Sequence, residues 1–251
     1  MLLRRIIPVL LLQNGGLVKT TRFKNPVYVG DPINAVKIFN EKEADEILLL
    51  DIDAAKSNKI NYNLITEIAG EAFMPLAYGG GVSSVDQIRK LMKCGIEKIV
   101  IGNAAVKNPD FVQLATKTFG SSSISICIDV KKNFFGKHLV VTENGKSFSK
   151  YSPNEFALLM QKYGAGEIIL QNVDADGTMN GYDYNLINES LKGVMVPAIA
   201  AGGAKSAEDL SKVFNYGVGA AAAGSLFVFN GKHKAVLISY ISESEINRQQ
   251  Q

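Results

Sequence analysis

Ile6-Ile7-Pro8-Val9-Leu10-Leu11-Leu12 is the stretch that decides the fold. It is apolar at every position, so it carries no alternation of faces, and it is far too short to cross a membrane. Such a run reads as a strand buried on both sides, the kind found in parallel sheets covered by helices.

Working outward, short apolar runs of this kind alternate with amphipathic stretches along the whole chain. Eight strands are predicted: Arg5 to Leu11, Glu46 to Asp51, Leu76 to Gly79, Lys98 to Gly102, Ser123 to Asp129, Glu167 to Asn172, Ala198 to Ala201 and Ala220 to Gly224. Helices are predicted to begin near Pro32, Asn61, Ser84, Pro109, Pro153, Asp183, Ser206 and His233, several behind a Ser, Asp or Asn cap or with Pro in the first turn. Eight such units make a (β/α)8 TIM barrel, with an open doubly wound sheet as the alternative. The halves also repeat. Ala44-Asp45-Glu46-Ile47-Leu48-Leu49 answers to Ala165-Gly166-Glu167-Ile168-Ile169-Leu170, and the stretch Gly79-Gly80-Gly81-Val82-Ser83-Ser84 to Gly202-Gly203-Ala204-Lys205-Ser206. Two similar half-barrels account for this spacing.

Composition sets the bounds. A length of 251 residues with 47% hydrophobic content suits one barrel domain, residues 1–251. The net charge is +3, with Lys and Arg scattered, so no nucleic-acid partner is expected, whereas small phosphorylated or acidic ligands fit. Cys94 and Cys127 lie in apolar segments without metal or redox spacing and are expected to be buried thiols. His138 and His233 lack ligand-like neighbours and are expected at the surface, so neither metal nor cofactor is predicted. With no secretory signal and no membrane span in the sequence, a cytoplasmic location is expected.

Two connections are long for a barrel, Gln13 to Asp31 and Lys131 to Ser152. The second is predicted to fold as a hairpin around Asn144-Gly145. The first, with Gly15-Gly16, Lys19 and Arg22, is expected to be a mobile cover over an anionic substrate.

Glycines gather where strands end, at Gly79 to Gly81, Gly102, Gly202-Gly203 and Gly224 before Ser225. At the C-terminal face of a barrel they let backbone N–H groups approach phosphate oxygens, and paired clusters predict two phosphate sites. Asp51, Asp53, Asp129, Asp174 and Asp176 also stand at strand ends, where a carboxylate works as acid, base or hydroxyl ligand. Asp129, which ends an apolar run, is the best functional candidate. Asp176, in Asp-Gly-Thr, reads more as a turn residue. At the opposite ends, Arg5, Glu46, Lys98 and Glu167 begin strands and predict a ring of alternating charge that closes the barrel floor.

With these residues in hand, the chain resembles the cyclase subunit of imidazole glycerol phosphate synthase from Met1 to about Tyr240. The likeness rests on Arg5-Ile6-Ile7-Pro8, Gly30-Asp31-Pro32, Leu50-Asp51-Ile52, Gly79-Gly80-Gly81, Ala104-Ala105-Val106-Lys107-Asn108-Pro109, Gly164-Ala165-Gly166-Glu167-Ile168, Asp176-Gly177-Thr178, Gly181-Tyr182-Asp183 and Gly202-Gly203-Ala204. The resemblance implies a glutaminase docked on the N-terminal face, ammonia passing through the barrel and a bis-phosphorylated substrate at the top. It makes Arg5, Glu46, Lys98 and Glu167 the ammonia gate, with Glu97 in place of an Asp facing the glutaminase. It assigns Lys19, Asp51, Gly81, Gly102, Asn103, Asp176, Gly177, Gly203, Gly224 and Ser225 to substrate or phosphate binding.

The family places catalytic aspartates at the ends of the first and fifth strands. Here the second is Asp129, and Leu11 stands at the first. Leucine cannot donate or accept the proton that acid–base cyclisation requires there. Ala77, Val100, Gly102, Gln171 and Ala201 also replace hydroxyl- or amide-bearing residues of the family. The run from Val9 to Lys19 is similar to a branch of paralogues associated with surface-polysaccharide clusters, in which an acetamido group on a sugar becomes acetamidino. The expected function is therefore an ammonia-using synthase subunit acting on a glycosyl group. The alternatives are a genuine cyclase of histidine biosynthesis and a noncatalytic scaffold that activates its glutaminase.

Overall fold

A computed structural model describes residues 4–242 and 245–246. Eight parallel strands close into a barrel in the order β1 (Arg5–Gln13), β4 (Ile47–Asp51), β5 (Leu76–Gly79), β6 (Lys98–Ile101), β7 (Ile124–Lys132), β10 (Glu167–Asn172), β11 (Ala198–Ala201) and β12 (Ala220–Ala223), which pairs back onto β1. The register is staggered. β1 pairs with β12 over Arg5 to Pro8 and with β4 over Val9 to Leu12, so the opening stretch hands over from one neighbour to the other just after Pro8.

The barrel strands are apolar along most of their length because both faces are buried, with charged and polar residues such as Arg5, Glu167 and Asp129 toward their ends. Ile6, Leu10 and Leu12 point outward into the layer shared with the helices, and Ile7, Val9 and Leu11 point inward beside Leu48, Val100, Ile169 and Ala222. The helices are α1 (Pro32–Glu41), α2 (Ile52–Ser57), α3 (Tyr62–Glu71), α4 (Val85–Lys93), α5 (Asn103–Lys107), α6 (Pro109–Phe119), α7 (Pro153–Lys162), α8 (Tyr184–Ser190) and α9 (Ala207–Val213). Their starts follow local chemistry. Asp31 accepts the Asn34 N–H, and Ser84 and Ser152 form reciprocal capping boxes with Gln87 and Glu155.

Several expectations require correction. No helix begins near His233: Ser225–Phe227 is a 3-10 turn, followed by a hairpin of β13 (Phe229–Asn230) and β14 (Ala235–Val236). The Gln13 to Asp31 connection, expected as a mobile cover, is built of regular strands. It is an antiparallel extension of the barrel wall, β2 (Gly16–Thr21) and β3 (Lys24–Gly30), with β1 running on to Gln13. Lys131 to Ser152 is a hairpin as predicted, made by β8 (His138–Thr142) and β9 (Ser147–Phe148) against an extended β7. His138 is half-buried rather than at the surface, with Nε2 3.7 Å from Asp183 Oδ2. Both cysteines are free, and both are half-buried rather than fully buried. No helix among the described residues is long and apolar enough to cross a membrane.

The half-barrel repeat has a steric origin. A Cβ on Gly80 would stand 2.5 Å from the carbonyl oxygen of Asp51, and a Cβ on Gly202 would stand 2.5 Å from that of Asn172. Both have positive φ. At these two equivalent places a turn packs directly on the end of the preceding barrel strand, so glycine is required whether or not a ligand binds.

Candidate active site

At the floor, the four strand-start charges meet. Arg5 donates to both Glu46 and Glu167, while Lys98 Nζ lies 2.9 Å from Glu46 Oε2 and 3.4 Å from Glu167 Oε2. Ser125 Oγ adds a 3.3 Å hydrogen bond to Glu167. The carboxylates are nearly buried and each is held by two cations, which offsets the cost of removing them from water. Above this ring the barrel axis is lined by Ile7, Val9, Leu48, Ala77, Val100 and Ala222.

At the mouth, the strand-end acids separate according to which face of the strand they occupy. Glu46, just before β4, and Leu48 and Leu50 within it face the axis, so Asp51 faces the helices: it caps α2 through the Ala54 N–H at 2.8 Å and accepts the Tyr78 hydroxyl at 3.1 Å. Asp53 accepts the Asn14 N–H, and Asp174 the Lys132 N–H at 2.8 Å. These three hold backbone in place. Asp129 faces the axis, in register with Gln171, and accepts the Cys127 thiol at 3.6 Å. Burial, with the nearby Asp176 adding to it, pushes its carboxyl up to about 7, so at neutral pH it is divided between acid and carboxylate. Cys127, one turn of the pleat below, had no local signal in the sequence. Its thiol is pushed up by burial and by Asp129, which keeps it protonated.

Asp176 belongs to the pocket rather than to the turn alone. Its carboxylate accepts Thr20 Oγ1 at 3.1 Å and Gln171 Nε2 at 3.4 Å, and it faces the ammonium of Lys19. Burial raises its carboxyl and Lys19 opposes the rise. Lys19 is only 4% exposed and donates to the Val9 carbonyl. Burial lowers it to about 8, opposed by Asp176. A Cβ on Gly224 would stand 2.8 Å from Lys19 Nζ, so glycine there makes room for the cation. Lys19, Asp176, Gly177, Gly203, Gly224 and Ser225 thus share one pocket, with Leu11 in its wall. Gly81, Gly102 and Asn103 are not among its lining residues.

The β2–β3 hairpin is docked over this pocket. Arg22 N–H donates to the Asp176 carbonyl at 2.9 Å and Arg22 Nε to the Asp174 carbonyl at 3.0 Å. Gly177, with φ +68°, lies so close beneath that an added Cβ would be 2.0 Å from the Thr20 carbonyl oxygen. Gly177→Ala is expected to cost at least about 1 kcal/mol from the left-handed backbone alone and to lift the hairpin. Hydrogen exchange should then speed up in residues 17–20 while the barrel strands stay protected. Unchanged exchange there would mean that the clash relaxes elsewhere.

The profile of the family described as Histidine biosynthesis protein matches residues 5–234. The chain is 50% identical over 242 residues to a Pseudomonas aeruginosa protein provisionally named imidazole glycerol phosphate synthase subunit hisF2, covering 96% of each chain. It is 48% identical over 249 residues to a Vibrio vulnificus protein provisionally named subunit hisF3 of the same synthase, covering 98% of this chain and 95% of the relative. A Dictyoglomus thermophilum imidazole glycerol phosphate synthase subunit HisF is 39% identical over 247 residues, covering 98% of each. With matches of this length on a closed (β/α)8 barrel, the chain belongs to the histidine biosynthesis protein family, among the cyclase-type subunits of imidazole glycerol phosphate synthase.

Proposed function

We propose that the chain is the ammonia-using synthase subunit of a glutamine amidotransferase complex, acting in the cytoplasm on the acetamido group of a glycosyl substrate. The observation that carries this reading is a contrast within one barrel: the floor ring of Arg5, Glu46, Lys98 and Glu167 is complete, while the axis-facing end of β1 holds Leu11. The apolar axis above the ring suits uncharged ammonia and excludes ammonium. A glutaminase docks on the N-terminal face, where Phe73 and Met195, on the loops entering β5 and β11, are 88% and 85% exposed. Large apolar side chains held open at equivalent points of two half-barrels suit a protein partner.

In the proposed exchange, ammonia adds to the acetamido carbon, the carbon–oxygen bond breaks and the oxygen leaves as water, giving the acetamidino group. A nucleoside triphosphate drives the exchange by transferring its terminal phosphoryl group to that oxygen and departing as the diphosphate; the oxygen then leaves as inorganic phosphate in place of water. Asp129, poised near neutrality, supplies the proton to the departing oxygen. No second acid is needed where Leu11 stands.

The test supplies the purified chain with ammonium salt and either an acetamido-bearing sugar nucleotide, with and without a nucleoside triphosphate, or the ribulosyl aminoimidazole nucleotide. The expected product is the acetamidino sugar, read by mass spectrometry. Vigorous imidazole formation by the natural chain would overturn the reading in favour of the genuine cyclase. Leu11→Asp is expected to restore some cyclisation if the pocket still accepts the nucleotide, and none if the substrate itself has changed.

A further inference from the structure

The pseudo-symmetry of the barrel extends to its two hairpins, and there it breaks. Gly81, Gly102 and Asn103 stand one half-barrel before Gly203, Gly224 and Ser225. β2 folds back on β1 as β8 folds back on β7. With Leu11 and Asp129 as equivalent strand ends, the strand pairing puts Lys19 in the first hairpin at the place of Thr142 in the second, one residue before Glu143.

The two corners bring opposite charges. The first hairpin carries a buried ammonium to Gly224, where the missing Cβ leaves it room. The second carries Glu143 to the equivalent strand end: its N–H donates to Asn103 Oδ1 at 3.2 Å, and its carboxylate takes Ser147 Oγ at 2.9 Å and Lys107 Nζ at 3.4 Å. The cations on this side, Lys107 and Lys146, are exposed and drawn to Glu143, so neither is a desolvated partner for an anion. Gly102 faces open space, an added Cβ meeting nothing nearer than the Cys127 carbonyl oxygen at 3.8 Å. A phosphoryl dianion at the first end gains a desolvated cation, whereas at the second it meets a carboxylate.

We infer that the ligand of this barrel is anionic at one end only, with its phosphoryl group held by Lys19, Gly203, Gly224 and Ser225 and an uncharged, hydroxyl- or amide-bearing end toward Asn103 and Glu143. This rests on the mouth being the substrate site proposed above, and it holds for any reaction performed there. The class that fits is a singly phosphorylated sugar, or a sugar nucleotide, whose diphosphate is one anionic group with the uncharged sugar on one side of it.

Calorimetric titration of the full chain with inorganic phosphate tests the inference, with a hexose monophosphate and a hexose bisphosphate as further probes. One phosphate per chain is expected. Lys19→Met should weaken it by about tenfold to a hundredfold. The bisphosphate should bind no more tightly than the monophosphate, and Glu143→Lys, on an exposed turn, should tighten the bisphosphate selectively. Two phosphates per chain, none at all, a single site that survives Lys19→Met in a folded protein, or a marked preference for the bisphosphate would each overturn it. Absence of acetamidino product with one phosphate bound would sink only the proposed reaction. Acetamidino product with two phosphates bound would sink only the one-ended ligand.

Discussion

Asp129→Asn is expected to lower ammonia-dependent turnover by about a hundredfold to ten-thousandfold, the usual effect of losing a general acid. The natural chain should also show a rate that falls as pH rises through about 7, measured at constant free ammonia, because the protonated carboxyl is the working form. That limb should vanish in Asp129→Asn. The same substitution should change stability in the opposite direction. Between the ordinary carboxylate range and pH 7 the folded protein keeps a proton on Asp129 that the unfolded chain has released, so stability from this group is lost as pH rises through that window. Asp129→Asn, which cannot ionise, should gain stability over the natural chain above pH 7, with a ceiling of about 4 kcal/mol. Thermal unfolding at acid and alkaline pH measures the gap. A gap that stays constant with pH would show that Asp129 titrates as it would in water.

Glu46→Ala should have the largest effect on folding. Glu46 is nearly buried and holds both Arg5 and Lys98, so its removal leaves two cations at the floor sharing Glu167. Breaking a buried ion network from one side costs about 3–5 kcal/mol. For a chain of this size the melting temperature should drop on the order of 10 °C. If the ring also meters ammonia, turnover driven by glutamine through the docked glutaminase should fall further than turnover driven by added ammonium. Glu46→Gln, which keeps the shape and some hydrogen bonds, separates the two roles. Equal losses with both nitrogen sources would assign the ring to stability alone.

Much of this was legible in the residues. Seven of the eight predicted helix starts open helices and carry their own caps or prolines, and each barrel strand has a short apolar run at its heart, interrupted only by Ser125 in β7. The floor ring could be anticipated because charges at the starts of parallel strands have one place to meet. The last predicted helix failed because the chain after Gly224 turns at once into a 3-10 segment and a short hairpin, which the polar run near His233 does not distinguish from a helix start. The first hairpin was missed because its second strand mixes Lys24, Asn25 and Pro26 with exposed Val27 and Tyr28 and shows no clean alternation of apolar and polar residues. It is held by contacts to Asp174 and Asp176, far along the chain, that leave no local pattern.

By itself, the sequence determined the number and order of the barrel strands, the repeat of the two halves, the charged floor and the replacement of an acid by Leu11. The tertiary structure alone decided which acids face the barrel axis. A strand buried on both faces has no polar alternation to reveal its inward side, so Asp51 and Asp129 look alike until closure turns one toward the helices and the other toward the axis. It also decided that Lys19 is buried at one end of the mouth while Glu143 occupies the other. That difference arises from where two hairpins dock, and docking depends on surfaces that exist only once the barrel has closed.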